Sequence, residues 1–353
     1  MAKLYFGSDY QQAAHPDVMA RLASQCTVPF PGYGTDEVCE AAKAKIRAAC
    51  QAPADCAVYF LVGGTQTNAT VIDALLKSYQ GVLAAETGHI AVHEAGAIEF
   101  GGHKVLPLKN DWGKISAAQV RKACETYYGD DNRDHMVMPG MVYISQPTEY
   151  GTLYSLAELE ALHEVCAAYH LPLYVDGARL AYALACREND VTLPDLARLC
   201  DAFYIGGTKC GALFGEAVVF PNPDLVPHFF TIVKQHGALL AKGFLLGMQY
   251  DALFTDDLYL RVGQAGMRAA DRLRAGLRKL GIREVIPSPT NQIFIRLENE
   301  AYKRLSEKAE MSFWSQESDG TTTLRLATCH LTTDEEIDAL IELLSRETEH
   351  AAR

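Results

Sequence analysis

Residues 57–68 read Ala57-Val58-Tyr59-Phe60-Leu61-Val62-Gly63-Gly64-Thr65-Gln66-Thr67-Asn68. The apolar run ending at Val62 has the length and the β-branched and aromatic content of a buried strand, and the glycine pair stops it. A helical period follows from Asn68 to Tyr79. The same rhythm continues from about residue 45 to 220, with short strands expected at Gly81–Ala85, Met141–Ser145, Leu173–Asp176 and Ala202–Ile205. Between them, Ser155-Leu156-Ala157-Glu158 forms a capping box that opens a helix with Leu156, Leu159, Leu162 and Cys166 on one face. Strands alternating with helices predict an α/β fold, a parallel sheet covered on both sides. Ligands of such sheets bind at the carboxyl ends of the strands.

After about residue 222 the pattern changes. A helical region runs from Asp224 through Asp257–Leu280, strands fit Asn291–Leu297 and Thr321–Ala327, and Thr333-Asp334-Glu335-Glu336 caps a last amphipathic helix. The expected organisation is an N-terminal segment (1–14) packing with a small domain, a large ligand-binding domain (15–248), and a small C-terminal α+β domain (249–353).

The chain has 353 residues, of which 49% are hydrophobic and 22% charged, the balance of a globular protein rather than a disordered one. Against 32 lysines and arginines stand 44 aspartates and glutamates, a net charge of -12. That balance argues against tracking nucleic acid or an anionic membrane, which needs concentrated positive charge. No apolar run reaches the roughly 18 residues of a membrane helix, and Met1 to Asp9 turns polar too early for a secretion signal. Ten cysteines are scattered without a CxxC pair, so they read as small buried hydrophobes of a reducing, cytoplasmic compartment.

Four features fall at strand ends. Gly63-Gly64-Thr65-Gln66-Thr67-Asn68 offers free backbone N–H groups, hydroxyls and a helix N-terminus to an anion; taken alone it is also an ordinary tight turn. Asp176-Gly177-Ala178-Arg179 puts a carboxylate where burial is costly unless it is paired, although a helix N-cap would serve as well. Lys209 lies in Gly206-Gly207-Thr208-Lys209-Cys210, where desolvation lowers an amine's pKa as a Schiff-base nucleophile requires. In Glu86-Thr87-Gly88-His89-Ile90-Ala91-Val92-His93-Glu94 the two histidines are spaced for one helical face, yet no HExxH or third ligand accompanies them, so no metal is expected. A flat stacking ring or proton carrier suits His89 better. An anion cradle, a strand-end carboxylate, a stacking ring and a desolvated lysine together meet the needs of pyridoxal 5'-phosphate.

With these motifs in place, the chain resembles the low-specificity L-threonine aldolases, within the β-eliminating-lyase group of fold-type I pyridoxal-phosphate enzymes. The likeness runs through Ser8-Asp9, Tyr33-Gly34 with Asp36, Gly64-Thr65 with Asn68, Glu86-Thr87-Gly88-His89 and Gln146-Pro147-Thr148-Glu149-Tyr150-Gly151-Thr152. It continues in Asp176-Gly177-Ala178-Arg179, Gly206-Gly207-Thr208-Lys209, Gly215-Glu216-Ala217-Val218-Val219, Lys234-Gln235 and Arg325. The resemblance implies a mostly parallel seven-stranded sheet flanked by helices, and a homodimer or homotetramer with active sites at the subunit interface.

It also implies roles. Lys209 would carry the cofactor, Asp176 would bind its pyridine nitrogen, Arg179 its phenolic oxygen, and His89 would stack on the ring. Gly64, Thr65 and Asn68 would surround the phosphate, with Lys242 reaching it from a neighbouring subunit. Ser8 and Arg325 would bind the substrate carboxylate, with Tyr33 also at the substrate. Lys209, His89 and Asp176 would be the catalytic set. The reaction would be retro-aldol cleavage of threonine-like β-hydroxy-α-amino acids to glycine and an aldehyde. Alternatives with the same residues are a β-eliminating lyase, an aminotransferase or a non-catalytic cofactor-binding relative. Many family members have a histidine in an Asn-Thr-His-Asn-like strand end; Thr148 occupies that place here. The general base is therefore open among His89, His93, Glu94 and a water.

Overall fold

The computed structural model of the chain describes residues 3–351. Its strands are, in chain order, β1 (Leu4–Tyr5), β2 (Ala57–Leu61), β3 (Gln80–Ala85), β4 (Lys104–Leu108), β5 (Met138–Ser145) and β6 (Leu173–Asp176). β7 (Ala202–Gly206), β8 (Glu216–Phe220), β9 (Gln292–Glu298), β10 (Ala309–Glu310), β11 (Ser312–Gln316) and β12 (Thr321–Ala327) follow. A seven-stranded sheet has the order β2-β8-β7-β6-β5-β3-β4. Its neighbouring pairs are parallel except those made by β8, which runs antiparallel to β2 and β7. The reversal has a local cause. Residues 207–215 join β7 to β8 without a helix, and so short a link turns the chain back, whereas parallel neighbours need a crossover. The α/β expectation thus holds as a mostly parallel sheet with one reversed strand beside the lysine-bearing turn.

Successive side chains divide between two cores. Val142, Ile144, Val175, Phe203 and Ile205 face one helical layer, while Met141, Tyr143, Tyr174 and Tyr204 face the other. Apolar residues on both sides of every pleat are what a doubly covered sheet requires. Three tyrosines consequently stand on the face covered by the helix Gly64–Leu75, and Asp176, two positions beyond Tyr174, points the same way.

The C-terminal layer is a three-stranded sheet, β11-β12-β9, whose neighbours are antiparallel. It shares a third core with the helices Leu258–Lys279 and Asp334–Ala351 through Leu273, Leu277, Ile293, Leu324 and Leu340. β1 pairs in parallel with β10, and Leu4 and Phe6 enter this core. The start of the chain is thereby held against its last third.

One boundary differs in a way that matters for chemistry. The helix expected from Asn68 begins at Gly64, with Gly63 as an extended N-cap that makes no side-chain hydrogen bond. Gly64 and Thr65 therefore lie in a first helical turn, whose N–H groups have no intrahelical acceptor. Among the described residues, no helix is long and apolar enough to cross a membrane.

Candidate active site

The carboxyl ends of β3, β5, β6 and β7 meet the N-terminus of the helix Gly64–Leu75 around a cavity of about 310 Å³, lined among others by Gly64, Thr65, Asn68, His89, Asp176 and Lys209. An outer cavity of about 520 Å³ adjoins it and brings in His93, Trp314 and Arg325. The two share Tyr10, His89, Glu149, Arg179 and Lys209 along their boundary.

Asp176 ends β6 and is almost wholly buried. Its Oδ2 accepts from the Tyr143 hydroxyl at 2.7 Å and from Asn68 Nδ2 at 3.1 Å. Oδ1 accepts from Ala178 N–H at 3.0 Å and from the Tyr204 hydroxyl at 2.5 Å. Burial alone would raise its pKa, but His89, Tyr204, Tyr143 and Asn68 together hold the carboxyl below the usual range. An ionised carboxylate so placed suits a cationic ring nitrogen. The turn that follows has to contain glycine: a Cβ on Gly177 would lie 2.0 Å from Tyr204 O. The close approach lets Gly206 N–H donate to Gly177 O at 3.0 Å, which ties the ends of β6 and β7 together.

Asn68 extends the network. It accepts from the Tyr174 hydroxyl at 2.8 Å and donates to Glu94 Oε1 at 2.7 Å. The same Glu94 oxygen lies 2.7 Å from His89 Nδ1. His89 opens a single helical turn just after β3, and Glu94 fixes the orientation of its ring. Asn68 accordingly braces Asp176 and Glu94, besides bordering the cavity.

Lys209 follows β7 directly. Burial and Arg179 lower its pKa, opposed by Asp9, Asp176 and Glu216, and the net shift is downward. A larger neutral fraction makes it a better nucleophile. Glu216, the first residue of β8, accepts from Gly207 N–H at 3.0 Å and Thr208 Oγ1 at 2.8 Å, so the reversed strand pins the lysine turn. Burial pushes Glu216 up to about 8 despite those bonds and the nearby amine. Neighbouring Cys210 is buried too, and its thiol is pushed up to about 12.

Arg179 borders both cavities, and its guanidinium is engaged by Asp9: Nε to Oδ2 at 2.6 Å and Nη2 to Oδ1 at 3.0 Å. Asp9 also accepts from Asn291 Nδ2 at 2.9 Å. Arg325, on β12, donates from Nη2 to Gly7 O at 3.1 Å and from Nη1 to Gln292 at 3.3 Å. Burial and the Arg179 charge lower its pKa to about 10, against the opposing pull of Asp9 and Tyr10. Its Nε is buried without a partner, as is Ser8 Oγ. A guanidinium that borders the outer cavity and has no carboxylate partner is suited to an anionic ligand group, whereas Ser8 is not among the residues lining either cavity.

Tyr33 and Lys242 are placed elsewhere and do not reach this cavity in their own chain. Tyr33 borders a separate cavity of about 280 Å³, and its N–H donates to Ala241 O at 3.1 Å, which brings it beside Lys242. The cause is close packing ahead of the helix Phe244–Leu253, where a Cβ on Gly243 would lie 2.5 Å from Gly34 N. Both residues are exposed, and neither lines the cavities that hold Asp176 and Lys209. Conversely, sequence reasoning gave no role to Asp9, Glu149 or Glu216. Each lies inside a quoted motif, and an acid in an otherwise apolar or small-residue setting was the available signal.

A family model described as Beta-eliminating lyase matches residues 6–300. A low specificity L-threonine aldolase of Pseudomonas aeruginosa is 31% identical over 304 residues, covering 85% of this chain and 86% of that one. A threonine aldolase structure from Leishmania major superposes with a TM-score of 0.94 at 40% identity, over 98% of this chain and 99% of that one. Aspartate aminotransferase of Thermus thermophilus, at 16% identity with a TM-score of 0.71 over 98% and 92% of the two chains, shares the fold. The chain belongs to the β-eliminating lyase family, in its low-specificity L-threonine aldolase branch.

Proposed function

We propose that this protein is a pyridoxal-phosphate-dependent aldolase that cleaves L-threonine, L-allo-threonine and related β-hydroxy-α-amino acids to glycine and an aldehyde. The observation that carries the reading is a pair of adjoining cavities with an ionised Asp176 and a desolvated Lys209 at the inner end, and Arg325, which has no carboxylate partner, at the outer end.

The residues fit the cofactor. Lys209 would hold it covalently, Asp176 would face its ring nitrogen, the first turn at Gly64 and Thr65 would receive its phosphate, and the oriented His89 ring would supply a flat surface. When bound, the group provides a protonated aromatic ring that accepts negative charge from the substrate's α-carbon. The chain's own contributions are electrostatic and geometric. Asp176, held charged by its donors, keeps the ring nitrogen protonated. Arg325 and Ser8 orient the substrate by its carboxylate. Arg179 stays locked to Asp9, which closes the N-terminal segment over the pocket. Enclosure strengthens each of these interactions by excluding water.

Tyr33 and Lys242 support a further part of the reading, a homodimer or homotetramer in which their exposed cluster completes the pocket of a neighbouring subunit. The ten free cysteines, nine of them buried, favour a reducing cytoplasm. The test is a product assay on threonine, allo-threonine and phenylserine diastereomers with the cofactor-loaded protein. Glycine plus the matching aldehyde is expected; pyruvate and ammonia in their place would make it an eliminating lyase.

A further inference from the structure

The aldolase reading leaves one proton without an acceptor, that of the substrate's β-hydroxyl, which has to depart as the Cα–Cβ bond opens. The substrate's reacting carbons belong between the Lys209 amine and Arg325, which is the shared boundary of the two cavities. Of its five residues, Arg179 has no acceptor atom and is tied to Asp9. Lys209 is taken up by the cofactor, Tyr10 is a phenol, and the His89 ring, oriented through Nδ1 by Glu94, is the surface on which the cofactor would stack. Glu149 is the one carboxylate in the set.

Its position is well defined. Oε1 accepts from His89 N–H at 2.8 Å and from Ser145 Oγ at 2.9 Å, so the carboxylate is anchored to the end of β5 and to the turn that carries His89. A carboxylate has roughly four lone-pair sites, and these two donors leave capacity for a third.

We propose that Glu149 is the catalytic residue that takes the β-hydroxyl proton, an inference that rests on the aldolase reading. The O–H bond breaks and its proton passes to the Glu149 carboxylate. The electron pair left on oxygen becomes the second bond of the aldehyde carbonyl while Cα–Cβ breaks. The pair from that bond remains with the glycine fragment, whose α-carbon then takes up a proton, so no net proton is gained or lost. Electrostatics agree with the role. Burial raises the Glu149 carboxyl, its own N–H opposes this, Asp176 raises it further, and Ser145 and His89 N–H pull down. The net shift is upward, which makes it a stronger base than a solvated glutamate. The charged and titratable groups around it are Asp176 on β6, Tyr143 on β5, His89 after β3, Tyr150 and Tyr154 beyond β5, and Lys209, Arg179 and Tyr10 on the shared cavity boundary. His93 is the rival; it borders the outer cavity alone.

Glu149→Gln keeps the shape and an acceptor for both donors but cannot take the proton. With cofactor-loaded protein, three quantities are compared: aldehyde release from L-threonine, exchange of glycine's α-proton in heavy water followed by NMR, and the glycine dissociation constant read from the visible absorbance. The last two need Lys209 and Arg325 but no β-hydroxyl. Cleavage should fall roughly 10²- to 10⁴-fold, the usual worth of a general base, while exchange and glycine binding stay within about threefold. Glu149→Asp should regain part of the cleavage and the acid limb of the pH–rate profile that Glu149→Gln lacks. Cleavage kept within about threefold in Glu149→Gln overturns the proposal. So does an equal loss of cleavage and exchange, or selective loss of cleavage in His93→Gln instead. If Glu149→Gln loses the cofactor's visible band, Glu149→Asp decides: cleavage reduced more than exchange supports the proposal, and equal reduction sinks it. Wild-type protein that exchanges glycine's proton yet releases no aldehyde from any β-hydroxy amino acid overturns the aldolase reading itself. That outcome is separate from a wild type that cleaves alongside a variant that cleaves equally well.

Discussion

The inner and outer ends of the pocket are built in opposite ways. Around Asp176 each carboxylate oxygen already has two donors, supplied from two strands, the turn after β6 and one helix. Around Arg325 the polar atoms are under-used: its Nε and the Ser8 hydroxyl are buried with no partner at all. The fully used oxygens hold Asp176 in one arrangement whether or not a ligand is present, because each loss would strand a buried polar group, although Glu94 Oε2 farther along the network is buried without a partner. Arg325 borders the outer cavity with no carboxylate partner, so its charge is available to an anion that arrives. The inner end therefore reads as a preformed seat for a permanent cofactor, and the outer end as a site for a ligand that comes and goes.

Mutations can break or sharpen this contrast. The largest effect is expected at Lys209, where both ends meet. Lys209→Ala should lose the visible band of the bound cofactor and turnover on the order of 10⁴-fold or more, as loss of a covalent catalytic group does; a normal spectrum and rate would refute its assignment. Arg325→Ala should remove substrate binding with little loss of cofactor. Removing a buried charged partner is worth about 2–5 kcal/mol, or roughly one and a half to four decades in kcat/KM, with the cofactor dissociation constant nearly unchanged.

Asp9→Asn tests the clamp between the ends. Leaving Arg179 buried without its carboxylate should cost about 3–5 kcal/mol of stability in denaturant unfolding. Asp9 has a depressed pKa in the folded protein. Its contribution is therefore present above the ordinary aspartate pKa, near 4, and is lost as pH falls through the lower folded value. The variant should show a flatter loss of stability below about pH 4 than wild type does. A smaller effect belongs to Asn68→Ala, which strands donors and acceptors of the inner network. It should destabilise the apoprotein by about 1–3 kcal/mol, whereas Ser8→Ala, which removes an unpartnered hydroxyl, should leave apoprotein stability almost unchanged. Equal costs for the two would erase the contrast.

How far the fold was legible depended on where each strand lies. β3, β5, β6 and β7 are interior, and their apolar runs announced them; β2, though an edge strand, carries the unbroken apolar run Ala57–Leu61 and was legible too. β4 is an edge strand whose run is interrupted by Pro107 and opens with Lys104, and β11 is the outer strand of its sheet with alternating polar residues. Edge strands are permitted such residues because one side needs no partner, so their pattern fades. β8 opens with a buried glutamate, which disguised it.

The site divides along the same physical line. Asp176, Lys209, Gly64 and Asn68 were recognisable because a strand end followed by glycines or small residues is a local pattern. Lys242 was expected at a neighbouring subunit's phosphate and Tyr33 at the substrate; in their own chain both lie away from the residues that line the Asp176 cavity, Tyr33 beside a separate one. Glu149 and Asp9 stood in plain view within their motifs without an evident task, since their meaning lies in partners far along the chain.

By itself, then, the amino-acid sequence determined the α/β alternation, the strand-end chemistry and the family, all of which depend on residues close in sequence or on whole motifs. Only the tertiary structure decided that Arg179 is committed to Asp9, 170 positions away. It likewise decided that one oxygen of Glu94 serves both Asn68 and His89, and that Glu149 stands where the two cavities join. Hydrogen bonds and ion pairs act over a few ångströms, so their partners are chosen by how distant segments pack, which no local pattern records.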